Sequence, residues 1–155
     1  MCLMPVNARE FLLDLVASLR LDPAMKAVEF EVVSDSDLTM LADLNELRVV
    51  FMNLLLNAAQ AMNHRGGVSV QITPEGEWVR IVVGDRGPGI PVDRRERIFE
   101  PFFTTKHRGT GLGLPTARRI VEAHEGTLTV ADRMDGGAEM CVRLRQAKAG
   151  DALGR

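Results

Sequence analysis

Apolar and polar positions along this chain follow two periods, and each change of period marks an element. Phe11, Leu12, Leu15, Val16 and Leu19 recur at helical spacing and predict a helix over 6–21, which Asp22-Pro23 ends. Residues 28–33 (VEFEVV) alternate as a half-buried strand does, and the SDSD that follows is turn chemistry. Residues 38–41 read as a short second strand. Helical spacing returns across 44–63, where Leu44, Leu47, Phe51, Leu54, Leu55, Ala58 and Met62 form one apolar face. Asp43 stands where an N-cap belongs, with Glu46 three residues on to close a capping box, and Gly66-Gly67 ends the run.

Two strands, 68–73 and 77–83, read as a hairpin about Pro74-Glu75-Gly76. Residues 93–99 predict a short helix, while 100–111 show no apolar periodicity. A helix over 114–124 turns Leu114, Ala117, Ile120 and Val121 inward, with Pro115 in its permissive first turn. Strands at 127–131 and 139–144 close the chain across Asp135-Gly136-Gly137. Hairpins among the strands favour a mixed, mainly antiparallel sheet, and helices on one of its faces give a two-layer α/β sandwich of the α+β class. One domain is expected over 1–145, followed by a frayed, disordered tail over 146–155.

Composition narrows the function classes. Apolar residues make up 46% of the 155 and charged residues 26%, the balance of a soluble globular domain. A net charge of −2 argues against a general nucleic-acid surface, so any anion site must be local. Cys2 and Cys141 lie far apart and read as two free thiols in a reducing compartment. No apolar run approaches the ~18 residues of a membrane span. The opening MCLMPVN lacks the layout of a signal peptide, so a cytoplasmic domain without membrane contact of its own is expected.

The candidate chemistry starts on the helix over 44–63. Asn53 and Asn57 lie four residues apart on one face, with Glu46, Gln60 and His64 close to the same line. An unpartnered buried amide costs about 1–3 kcal/mol, so this stripe should meet another part of the protein or a ligand. A second candidate is Gly84-Asp85-Arg86-Gly87-Pro88-Gly89, where a carboxylate at a strand end precedes a backbone that can approach a flat ligand closely. Asp85 could accept from an exocyclic amine such as that of adenine, or sit solvated in an ordinary Gly-Pro turn. Calcium is excluded, because oxygen ligands are missing at the alternate positions its loop needs. A third is Gly109-Thr110-Gly111-Leu112-Gly113, which leads into a helix whose free N–H groups suit phosphate. Its spacing matches neither a dinucleotide fingerprint nor a Walker A loop, and a plain glycine hinge is the alternative. Three scattered histidines and two cysteines make no zinc set. Arg94-Arg95 and Arg118-Arg119 read as solvated helix charges, with contact to a partner domain as the alternative, and His124 as a surface or cap residue.

These pieces occur in a telling order. Asn53-Leu54-Leu55-Leu56-Asn57-Ala58 resembles the N box of the Bergerat ATP-binding superfamily, which joins sensor histidine kinases, type II topoisomerases and mismatch-repair ATPases. Asp85-Arg86-Gly87-Pro88-Gly89 resembles its first glycine box and Gly109-Thr110-Gly111-Leu112-Gly113-Leu114 its second. Phe99-Glu100-Pro101-Phe102-Phe103-Thr104-Thr105-Lys106 is similar to the F box specific to histidine kinases. The run from Asn57 to Met62 (NAAQAM) and the short lid resemble the nitrogen-regulation type of sensor kinase. The likeness covers 6–145.

The resemblance implies Mg-ATP as ligand, with Asn57 coordinating Mg²⁺ and Asn53 near the phosphates. Asp85 would hold the adenine amino group, with Gly87 and Gly89 shaping its pocket. Lys106, His107 and Arg108 would lie in a lid over the triphosphate, Lys106 and Asn53 acting in catalysis, and the backbone of Gly109, Thr110, Gly111, Leu112 and Gly113 would meet phosphate. The superfamily's hydrolases carry glutamate where Asn53 stands, as the base that activates water; an amide cannot take that proton. A histidine acceptor needs little help from a base, since neutral imidazole is already nucleophilic. The expected reaction is therefore transfer of the γ-phosphoryl group to a histidine on a separate dimerisation domain, with a response regulator served by the full kinase, whether or not that kinase is anchored in a membrane. A nucleotide-sensing module of the same fold, without phosphotransfer, is the alternative.

Overall fold

A computed structural model describes residues 1–101, 113–133 and 136–148. Its main sheet has five strands: β2 (Val28–Ser34), β4 (Gly66–Glu75), β5 (Trp78–Gly84), β6 (Thr127–Asp132) and β7 (Ala138–Arg145). They lie in the order β2-β4-β5-β7-β6, with β2 parallel to β4 and every other pairing antiparallel. The expected mixed, mainly antiparallel sheet is present. Three helices accompany it: α1 (Ala8–Arg20), α2 (Leu44–Ala61) and α3 (Gly113–Ala123). The alternating residues Val68, Val70, Ile72, Val79, Ile81, Val83, Met140, Val142 and Leu144 are all buried and belong to one core cluster with the apolar stripes of the helices. Edge-to-face packing of Phe11 on Phe51, with ring centroids 5.9 Å apart, joins α1 to α2.

The opposite face of the sheet is mainly polar, with Val82 buried among longer side chains. There the Arg143 and Arg145 guanidinium groups lie 5.3 and 5.7 Å from the Trp78 ring centre, and Arg143 also pairs with Glu75 at 2.6 Å. Cys141 is half-buried on this face, where burial pushes its thiol above the ordinary value; Cys2 is exposed, and both thiols are free.

The chain differs from its sequence pattern in three places. The expected first helix is preceded by a strand, β1 (Met4–Asn7), which pairs antiparallel with β3 (Thr39–Ala42) in a separate two-stranded ribbon. Asn7 ends that strand and also caps α1, accepting from the Glu10 N–H at 2.9 Å. The short helix expected over 93–99 is instead two 3-10 turns, Val92–Arg94 and Arg97–Phe99. Finally, α2 is stopped by Asn63 and His64, both left-handed at φ 55° and 59°; Gly66 already belongs to β4. Order also runs just past Arg145, since the Gln146 and Ala147 N–H groups donate to Glu77 and Thr39 carbonyls. Residues 149–155 of the expected tail lie outside the described residues.

The cap of α2 forms, but not as a closed box. The Asp43 carboxylate accepts from the N–H groups of Asn45 and Glu46, and from that of Cys2 at 2.8 Å. Its own N–H goes not to Glu46 but to His124 Nε2 at 3.0 Å. A backbone N–H can only donate, so Nε2 is the acceptor and Nδ1 carries the proton that reaches the Ile120 carbonyl at 2.8 Å. His124 is therefore a buried bridge from the end of α3 to the start of α2, and not a surface residue.

Candidate functional site

The polar stripe of α2 runs between two glycine-bearing segments. The Asn53 Nδ2–H donates to the carbonyl of Gly113, the first residue of α3, at 3.1 Å. A Cβ on Gly113 would come within 3.2 Å of Asn53 Oδ1, so helix and stripe are in contact there. Two turns further on, a Cβ on Gly87 would come within 2.7 Å of the Ala61 carbonyl. Asn53, Asn57 and Ala61 share one face, and eight residues of helix rise about 12 Å. Asn57 therefore lies midway along a track that joins the start of α3 to the Asp85 loop. All three are half-buried, unlike the core stripe beside them.

At the loop end, Asp85 follows directly on β5 and is only 5% exposed. Its Oδ1 accepts from the Gly87 N–H at 2.8 Å and the Ala138 N–H at 3.3 Å, while its own N–H donates to the Ala138 carbonyl at 3.0 Å. These bonds hold the carboxylate through Oδ1; among the described residues no hydrogen bond to Oδ2 is seen. Two glycines make the turn possible. Gly89 has φ +80°, and Gly137 has φ +93° with the Asp85 carbonyl where a side chain would project. The Arg86 N–H meets Met62 Sδ at 3.4 Å, so the end of α2 also holds the loop.

In the next group the burial of Phe99 fits its expected place as an anchor at the base of the lid segment, but the sequence missed the contacts of its arginines. Phe99 is buried, and the Arg118 guanidinium lies 4.5 Å from its ring centre and 3.0 Å from Glu96. Arg95 pairs with Asp132 at 2.5 Å. Neither arginine is the plain solvated charge that its helical context suggests. The expected site residues Lys106, His107, Arg108, Gly109, Thr110, Gly111 and Leu112, like Phe102 and Phe103, lie outside the described residues. Among the described residues no three His, Cys, Asp or Glu side chains group as a metal cage.

Residues 42–148 match the family described as histidine kinase-, DNA gyrase B- and HSP90-like ATPase. The chain belongs to that family. Within it the likeness is to the catalytic domains of sensor histidine kinases. The sensor histidine kinase ZraS of Escherichia coli O157:H7 is 47% identical over 103 residues, which are 66% of this chain and 22% of ZraS. Sporulation kinase A of Bacillus subtilis (strain 168) is 43% identical over 95 residues, 61% of this chain and 16% of that kinase. This chain thus spans about a fifth of the length of such relatives. The nucleotide-free catalytic domain of histidine kinase ThkA superposes with a TM-score of 0.86 at 30% identity, covering 94% of this chain and 97% of that one. The expected α+β sandwich of the Bergerat type is the fold observed.

Proposed function

We propose that this chain is the catalytic domain of a two-component sensor histidine kinase, over 1–145 with a tail to 155, binding Mg-ATP and donating its γ-phosphoryl group to a histidine outside the chain. The observation that carries this is the track along α2: Asp85 Oδ2 at one end, Asn57 midway, and the start of α3 beyond Asn53. It suits a nucleotide laid lengthwise, base to Asp85 and phosphates toward α3. A full-length kinase of this fold, ShkA, is known in complex with AMPPNP, and ThkA in complex with the response regulator TrrA. By likeness, a response regulator is the partner of the parent kinase here.

In this reading Asp85 accepts from the adenine amino group, and Gly87 and Gly89 let the base approach the backbone. Asn57 would hold Mg²⁺ through its side-chain oxygen. A single amide ligand, with no carboxylate cage among the described residues, fits a cation that keeps several waters and binds through substrate phosphates. Bound there, Mg²⁺ would neutralise phosphate charge. By the resemblance, Lys106, His107 and Arg108 would serve the triphosphate, and the N–H groups of Gly109, Thr110, Gly111, Leu112 and Gly113 would be offered to it. Asn53 offers no base for water, so positioning and charge neutralisation favour transfer to imidazole. The domain works on the cytoplasmic side, and none of its described helices is long and apolar enough to cross a membrane.

Calorimetric titration with Mg-ATP tests the reading. Asp85→Asn and Asn57→Asp should each weaken binding at least about a hundredfold, roughly 2.7 kcal/mol, with an unchanged circular dichroism spectrum. Unaltered affinity would remove the site assignment. Labelled ATP with a separate histidine-bearing dimerisation domain tests transfer: binding without label transfer would favour the sensing module.

A further inference from the structure

After Gly89 the chain leaves the sheet through Ile90, Pro91 and the 3-10 turn Val92–Arg94, none of whose three residues is buried. Ile90 is half-buried and packs against the core, but residues 91–94 beyond it are exposed, and this outer part of the Asp85 loop is tied down by Arg95. Its Nη2 lies 2.5 Å from Asp132 Oδ2 at the end of β6, and its Nε–H reaches back to the Ile90 carbonyl at 3.4 Å. Asp132 also stands under the loop, since a Cβ on Gly89 would come within 3.5 Å of its Oδ1. One guanidinium thus ties the far end of the loop to the strand beneath it, and the Arg95 side chain is 26% exposed.

We propose that Arg95, through Asp132, is a positioning residue for the nucleotide base, which rests on the reading of Asp85 as the adenine acceptor. Gly87 stays tied to Asp85 by its own N–H, but without the clamp Gly89 loses its place over Asp132, and the base pocket loses that wall before any phosphate contact is affected. The next residue points elsewhere: Glu96 pairs with Arg118 of α3 at 3.0 Å, toward the helix that follows the second glycine box. Consecutive residues therefore tie this segment to different elements, β6 and α3, and Glu96, outside the base pocket, supplies an internal control.

The test is titration of the full 155-residue chain with adenosine and with Mg-ATP, well below the melting temperature. Arg95→Met should raise both dissociation constants by the same factor, about fivefold, in keeping with a partly exposed ion pair and its accompanying hydrogen bond. Asp132→Asn should do the same, and serves alone if R95M does not fold. The exchange R95D/D132R should recover part of the adenosine affinity, whereas Glu96→Gln should leave adenosine binding unchanged. A role in stability alone would lower the melting temperature and leave adenosine affinity at the parent value, which would overturn the inference. A loss confined to Mg-ATP would overturn it too. A parent chain that binds neither adenosine nor Mg-ATP would overturn this inference together with the nucleotide reading beneath it.

Discussion

The two long stripes of α2 are made from one stretch of sequence and put to opposite uses. Leu47, Val50, Phe51, Leu54 and Leu55 are fully buried and meet other apolar side chains. Asn53, Asn57 and Ala61, one step around the helix, are half-buried and face the start of α3 and the Asp85 loop. The apolar stripe is satisfied by contact alone, whereas the amide stripe needs partners of defined geometry. The core face should therefore govern stability with little effect on ligand, and the site face should do the reverse.

Phe51 is the sharpest test of the first half. Its ring is wholly buried and packs edge-to-face on Phe11, so Phe51→Ala removes both the transfer term and that contact. A loss of about 3–5 kcal/mol in denaturant unfolding is expected, a large share of a typical domain's roughly 5–15 kcal/mol. Affinity for Mg-ATP, measured in the cold where the variant is still folded, should stay at the parent value. A tenfold change in that affinity would break the division between the stripes.

Asn53 tests the boundary between them, because it faces the site yet bonds to the fold. Asn53→Asp keeps the shape and replaces the donor to the Gly113 carbonyl with an acceptor. The lost bond should cost about 1 kcal/mol, seen as a melting temperature lower by about 2–4 °C, while adenosine, which in the proposed arrangement does not reach α3, binds as before. An unchanged melting temperature would mean that the Gly113 contact does not hold α3 to α2.

Much of this was legible before any coordinates. The stripe on α2 follows from period alone, and the cap at Asp43 from residue type and position. Asp85 and its glycines were legible as a carboxylate beside a permissive backbone. What escaped detection depends on pairings distant in sequence. Met4–Asn7 has no alternation long enough to notice, and it becomes a strand only because β3 pairs with it. His124 gives no sign that its acceptor nitrogen will meet the Asp43 N–H, 81 residues away. Arg95 and Arg118 resemble any charge on a short helix until β6 and Phe99 are brought beside them. Gly137 could be read as a turn, though not as the gap that admits the Asp85 carbonyl.

The cap of α2 sets the smallest effect, and it belongs to the fold side of the division. The N–H groups of Cys2 and Glu46, and then of Asn45, hold the Asp43 carboxyl below its usual value. A carboxyl lowered in the folded state contributes stability above its unfolded value, about pH 3.9, and loses it as pH falls through the lower folded value. Asp43→Asn keeps an acceptor oxygen at the cap but cannot titrate. The melting-temperature advantage of the parent over D43N should therefore be constant near neutrality and shrink only below about pH 4. Mg-ATP affinity at pH 7 should not differ between them, since the cap lies at the end of α2 away from Asn57 and the Asp85 loop. An advantage that instead faded between pH 5 and 7 would trace to another group, and a change in nucleotide affinity would join the cap to the site stripe.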